Sequence, residues 1–166
     1  MSSESKKEKR KTTGLFITGV ILLLLIFFST IFYIRSSRPM RQAKKEAVSI
    51  AEKTAKIKTV DDFYYFTRGN TYFTVSGKND KKEELLVVIP KSGKNVTTYK
   101  QDDGITQEEA EQLIAKKYPE ETITKSNFGM YEKKAIWEVV TSANKQNNYY
   151  LLQFKNGKIV KEIRSI

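Results

Sequence analysis

The chain has 166 residues, a net charge of +11 at pH 7, and neither cysteine nor histidine. Those two absences exclude disulfides, a thiol nucleophile, thiolate metal sites and the imidazole that most often serves as zinc ligand or general base. The basic balance calls for anionic surroundings, but no run of clustered Lys and Arg with interleaved aromatics matches a nucleic-acid module, so nucleic acid is not an expected partner.

In chain order, residues 1–13 form a short basic tail with Lys6, Lys7, Lys9, Arg10 and Lys11. From Gly14 to Ile34 there is no charge at all. Twenty-one helical residues reach about 30 Å, the thickness of a bilayer's hydrocarbon core, and the run is longer than the apolar part of a cleaved signal peptide. No A-x-A site closes it, so it reads as an uncleaved single-pass anchor in the lipid bilayer. Basic residues flank both ends equally, and the positive-inside count is a tie. The brevity of the tail favours an inside N-terminus and an extracytoplasmic residue 35–166 portion. That portion carries +8 of the total charge, because the tail holds five basic and two acidic residues. Phospholipid headgroups and anionic wall polymers are then the nearest anions.

After the anchor, Pro39 suits the first turn of a helix. Ala43, Ala47, Ile50, Ala51, Thr54 and Ile57 follow at spacings of three and four, one stripe of an amphipathic helix. Strands are expected at Phe63–Phe66, Thr71–Ser76, Leu85–Ile89 and Val96–Tyr99, separated by Gly- and Asn-containing turns. The scheme then restarts. Thr106-Gln107-Glu108-Glu109 is a capping box opening a helix with Ala110, Leu113, Ile114 and Tyr118 on one face, ended by Pro119. Further strands are expected near Thr122–Asn127, Ala135–Thr141, Tyr149–Phe154 and Ile159–Ile163.

A constant offset of 64 residues lays Ile50 on Ile114, Phe73 on Trp137, Val75 on Val139, Leu85–Val88 on Tyr149–Leu152, and the turn glycine Gly93 on Gly157. Glycine at the same place in both hairpins fits a turn that needs positive φ. Duplication accounts for this better than chance similarity of two helix-then-strand units. The expected fold class is α+β: residues 38–100 as a first cystatin-like unit that includes the juxtamembrane helix, and residues 101–166 as a second. Each is near the lower size limit for an independent core, so the two are expected to lean on each other.

The second unit, with Ile105–Ala110, Ala135–Val139 and Tyr149–Ile159, resembles a PepSY domain. The whole chain from residue 10 onward is similar to the YpmB, or TseB-like, family of cell wall elongation regulators of Gram-positive bacteria. The resemblance implies a tail, one anchor, a juxtamembrane helix and two tandem cystatin-like units. It further implies a non-enzymatic envelope protein that regulates peptidoglycan elongation by contact, with a penicillin-binding protein as partner. A PepSY-type inhibitor of an exported peptidase is the alternative it leaves open. No catalytic residue or cofactor is carried over.

The acidic pairs Asp61-Asp62, Asp102-Asp103 and Glu120-Glu121 lie beside turns and helix ends, where solvated carboxylates are common. Neighbours in a strand diverge and do not make a catalytic or metal-binding pair. The aromatic cluster of residues 63–73 is divided by strand alternation. Phe63, Tyr65 and Phe73 are assigned to the core, and Tyr64, Phe66 and Tyr72 are the candidate partner surface.

Overall fold

The computed structural model describes residues 3–164, with side chains from Gly14 to Thr30 and from Pro39 to Arg164. The chain separates into two compact units, residues 1–42 and 43–166.

The first unit is helical, part of helix α1, which runs Ser3–Ala55 with Pro39 inside it rather than in its first turn. A proline there forgoes one backbone hydrogen bond, a loss that the good helix formers following it, such as Met40, Arg41, Ala43 and Lys44, work against. Large apolar side chains from Leu15 to Phe28 are exposed, Leu15 and Phe16 to about three-quarters of their surface. Among the described residues no helix is long and apolar enough to cross a membrane. Side chains of the uncharged run are described only from Gly14 to Thr30, which at the helical rise covers about 25 Å. Its expected far end, Ile34, lies outside the described side chains.

The second unit holds the rest of α1 and two antiparallel four-stranded sheets, each a meander in chain order. Sheet A comprises β1 (Ile57–Phe66), β2 (Tyr72–Asn79), β3 (Glu84–Pro90) and β4 (Thr97–Lys100). A 3-10 turn at Gln101–Asp103 leads to α2 (Gln107–Lys117). Sheet B comprises β5 (Thr122–Tyr131), β6 (Lys134–Ala143), β7 (Gln146–Gln153) and β8 (Ile159–Ile163). The capping box forms as the sequence predicts: the Glu109 amide donates to Thr106 Oγ1 at 3.1 Å, and the Thr106 amide donates to Glu109 Oε2 at 2.8 Å. Of the predicted buried face of α2, Ala110 and Ile114 are fully covered, whereas Leu113 is 44% exposed.

Sheet A is covered on both faces. On one side Ala47 and Ala51 of α1 pack on Val75, Leu85, Val87 and Ile89. Alanines let the helix approach closely. On the other side Tyr64, Leu86 and Val88 join Ala110, Ile114, Phe128, Trp137, Val139, Tyr150, Leu152 and Phe154 in one core. Burial on both faces explains why β3 reads as an unbroken apolar run. The two sheets therefore share a core, with the Thr74 hydroxyl donating to the Phe128 carbonyl at 2.9 Å between them.

The constant offset of 64 does not hold through this register. Val75 pairs with Val87, but Val139 pairs with Tyr150, where a constant offset would place Leu151 opposite it. One residue of slip exchanges the faces of a strand, and Leu151 accordingly lies with Phe66 and Ile136 on the face away from α2. The cause is the hairpin. Asn79 to Glu83 separate the paired ends of β2 and β3, whereas Asn144 and Lys145 alone separate those of β6 and β7. The turn glycines do match, Gly93 at φ 71° and Gly157 at φ 69°.

Candidate functional site

The aromatic cluster departs from the sequence expectation at Tyr64 and Phe66. Phe66 is fully buried and Tyr64 nearly so, and neither is free to form the partner surface assigned to them. Tyr64 stands edge-on to Trp137 at 5.3 Å between centroids, and its hydroxyl donates to Gln107 Oε1 at 2.9 Å. Burial, then Asp62 and Glu108, raises its pKa, so the phenol keeps its proton as a donor. Phe66 sits on Gly129, where an added Cβ would lie 2.5 Å from its ring. Tyr72 packs half-buried beside it at 6.4 Å. Of the set expected in the core, Phe63 and Phe73 are half-buried and pack against the core under α1, and Tyr65 is half-buried beside them. These rings stack in a row on the α1 side of sheet A, Phe63 to Phe73 at 6.0 Å and Tyr65 to Phe73 at 5.5 Å. The Lys44 ammonium lies 5.8 Å from the Phe63 centroid.

Beside this row is a groove of about 180 Å³ between α1 and β3, lined by Ala43, Glu46, Ala47, Ile50, Phe73, Ile89 and the Pro90–Gly93 turn. A larger cleft of about 480 Å³ lies elsewhere in the unit, lined by Tyr99, Asp103, Lys133, Lys134, Ala135, Gln153, Phe154 and Lys155.

The acidic pairs do not converge. Asp61 and Asp62 are exposed in β1, Asp102 and Asp103 are exposed in the 3-10 turn, and Glu120 is exposed after α2. Among the described residues no group of acidic side chains is placed to hold a metal ion. Glu121 has a structural task that sequence reasoning missed. Its side chain is 5% exposed and accepts from Thr141 Oγ1, from the Tyr150 hydroxyl at 2.8 Å and from Arg164 at 2.9 Å. Burial pushes its pKa up, but these hydrogen bonds and one from Asn148 outweigh burial and hold it below its ordinary value of 4.5. A folded-state pKa below the unfolded value gives stability that is present above the unfolded pKa and lost as pH falls through the folded one. Glu121→Gln is therefore expected to lower the melting temperature at pH 7 and to flatten the loss of stability below about pH 4.5. Melting curves of both proteins across pH 3–7 check this; parallel curves would show that Glu121 is not the acid-sensitive group.

Glu138 is a second buried carboxylate, accepting from Arg68 Nε at 2.6 Å and from Asn127 Nδ2 at 3.1 Å. The Arg68 guanidinium also lies 4.0 Å from the Tyr149 ring centroid. This ties the β1–β2 turn to sheet B. Removing either charge leaves the other half-paired and partly buried, the costly case for an ion pair.

Residues 46–90 match the family described as "Cell wall elongation regulator TseB-like domain". Over 150 residues the chain is 25% identical to the "Probable cell wall elongation regulator TseB" of Bacillus subtilis (strain 168), covering 89% of this chain and 92% of that protein. The solved structure of the YpmB protein from Bacillus subtilis superposes with a TM-score of 0.62 at 23% identity, over 73% of this chain and 96% of its own. The segment match and the curated relative support placing the chain with the TseB/YpmB family, and the solved structure shows the same fold.

Proposed function

We propose that this protein is a non-enzymatic, membrane-anchored extracytoplasmic regulator of peptidoglycan elongation that acts by touching a penicillin-binding protein. The observation that carries the reading is the family match over residues 46–90. Most of the groove beside α1 and the whole Phe63–Phe73–Tyr65 row fall within that segment. Half-buried aromatics beside a groove are the kind of surface that protein partners use. The exposed apolar side chains of residues 15–28 support the anchor, since nothing among the described residues covers them. On this reading residues 1–13 are a cytoplasmic tail, 14–34 the span, and 38–100 and 101–166 two tandem cystatin-like units that share a core.

Anchoring both proteins in one membrane raises their effective concentration, so a weak contact suffices. The apolar run has no G-x-x-x-G face or polar pair that would specify a partner helix. Exchanging residues 14–34 for an unrelated single-pass anchor is expected to preserve function in cells, and secreting the outer part without an anchor to lose most of it. Complementation of a deletion strain measures both. A free outer part that works as well as the anchored chain would sink the tethered reading. External protease on cells with intact membranes is expected to digest the residues after 34; full protection would show the orientation to be inverted.

A further inference from the structure

We propose that the cleft lined by Lys133, Lys134 and Lys155 is a binding site for a phosphodiester-linked polyanion, a soluble polyol phosphate chain. The three ammonium groups come from two separate hairpins. Lys133 and Lys134 lie at the β5–β6 turn, and Lys155 follows β7. The only carboxylate in the lining is Asp103, so the cleft carries an excess of positive charge. Three other lysines of the unit pair with carboxylates: Lys78 with Glu84, Lys100 with Glu83, and Lys117 with Glu162. None of the ion pairs among the described residues involves Lys133, Lys134 or Lys155.

The three lysines are exposed around one cleft, and an anion seated there is attracted by all three at once. The floor differs from the rim. Half-buried Tyr99 and Ala135 give it an apolar, partly aromatic surface, backed by the buried Phe154, which stands edge-to-face to Tyr99 at 5.9 Å. The carbon backbone of a polyol can lie on such a floor while its phosphates reach the ammonium groups. At about 480 Å³ the cleft falls within the usual range of roughly 300–1,000 Å³ for small-ligand sites. Concavity favours a flexible chain over a bilayer: headgroups in a flat membrane meet flat or convex basic patches, whereas a cleft admits a single strand.

The test uses the full chain in nanodiscs of phosphatidylcholine, which carries no net charge, titrated with a synthetic hexamer of glycerol phosphate. Binding is expected, weakening as salt is raised from ~50 to ~500 mM because exposed charges are screened. Lys133→Gln, Lys134→Gln and Lys155→Gln together are expected to weaken it about tenfold or more. A control triple, Lys116→Gln, Lys125→Gln and Lys145→Gln, removes the same charge outside the cleft and is expected to change it by less than about threefold. Asp103→Asn removes the one opposing charge and is expected to tighten binding, a gain that damage to the fold cannot mimic. Equal losses in the two triple variants would show a general charge attraction and overturn the site. So would a hexamer that fails to bind while nanodiscs containing phosphatidylglycerol engage the cleft lysines, since the source would then be a lipid headgroup. The site goes beyond the contact with a penicillin-binding protein: none of its lining residues belongs to the groove beside α1, so failure here leaves that contact standing.

Discussion

Trp137→Ala is expected to destabilise the unit of residues 43–166 by about 3–5 kcal/mol, the range for truncating a large buried aromatic. Trp137 is 1% exposed. Its ring meets Phe128 at 4.8 Å and Tyr64 at 5.3 Å, both edge-on, and its indole N–H donates to the Ile105 carbonyl at 2.9 Å. Alanine removes the ring, leaves a cavity between the two sheets and strands the Ile105 carbonyl. The neighbours come from both halves of the sequence: Tyr64 from β1, Phe128 from β5, and Leu86 and Val88 from β3 in the same core. The loss should therefore appear as one cooperative transition at lower denaturant, with sheet A and sheet B melting together. Urea unfolding followed by hydrogen exchange on both sheets checks this. An unchanged midpoint would place Trp137 outside the core, and separate transitions would mean that each sheet folds alone.

The second large effect is expected where Phe66 rests on Gly129. A methyl group at position 129 would lie 2.5 Å from the Phe66 ring, too close for any Cβ. Gly129→Ala is expected to cost about 1–3 kcal/mol, as for an overpacked core. Phe66→Ala is expected to cost about 3–5 kcal/mol by opening a cavity against Ile136 and Leu151. The two should not add. With the ring gone, the new methyl group has room, so the double variant should be more stable than the sum of the two losses predicts. Denaturation midpoints of the four proteins complete the cycle; strict additivity would show that the ring and the glycine do not meet.

Much of the fold was legible because it is written locally. The capping box at Thr106–Glu109 marks the start of α2 through hydrogen bonds between near neighbours. The unbroken apolar run of β3 marks a strand buried on both faces, and Gly93 and Gly157 mark turns that need positive φ. Which face of β1 is the inner one was not legible. Alternation separates Phe63 and Tyr65 from Tyr64 and Phe66, but both faces of sheet A are covered, one by α1 and the other by sheet B. Every position in Phe63–Phe66 is therefore aromatic, and the pattern does not reveal which set is sealed. The slip of β7 was hidden for a similar reason. Its apolar residues Tyr149–Leu152 are consecutive, so moving them by one position leaves the pattern intact. The lysine cleft has no local signature at all, since Tyr99, Asp103, Lys133, Lys134 and Lys155 meet only through the packing of sheet B against the end of sheet A.

The central claim is a tethered contact with a penicillin-binding protein, and site-specific photocrosslinking in living cells tests it most directly. A photoreactive residue in place of Lys91 or Ser92, exposed at the groove beside α1, samples the proposed contact. Lys125, exposed in β5, serves as the control position. The account predicts an adduct with an anchored penicillin-binding protein of the elongation machinery from positions 91 and 92, and none from position 125. Adducts with an exported peptidase from the same positions, or no dependence on position, would contradict it.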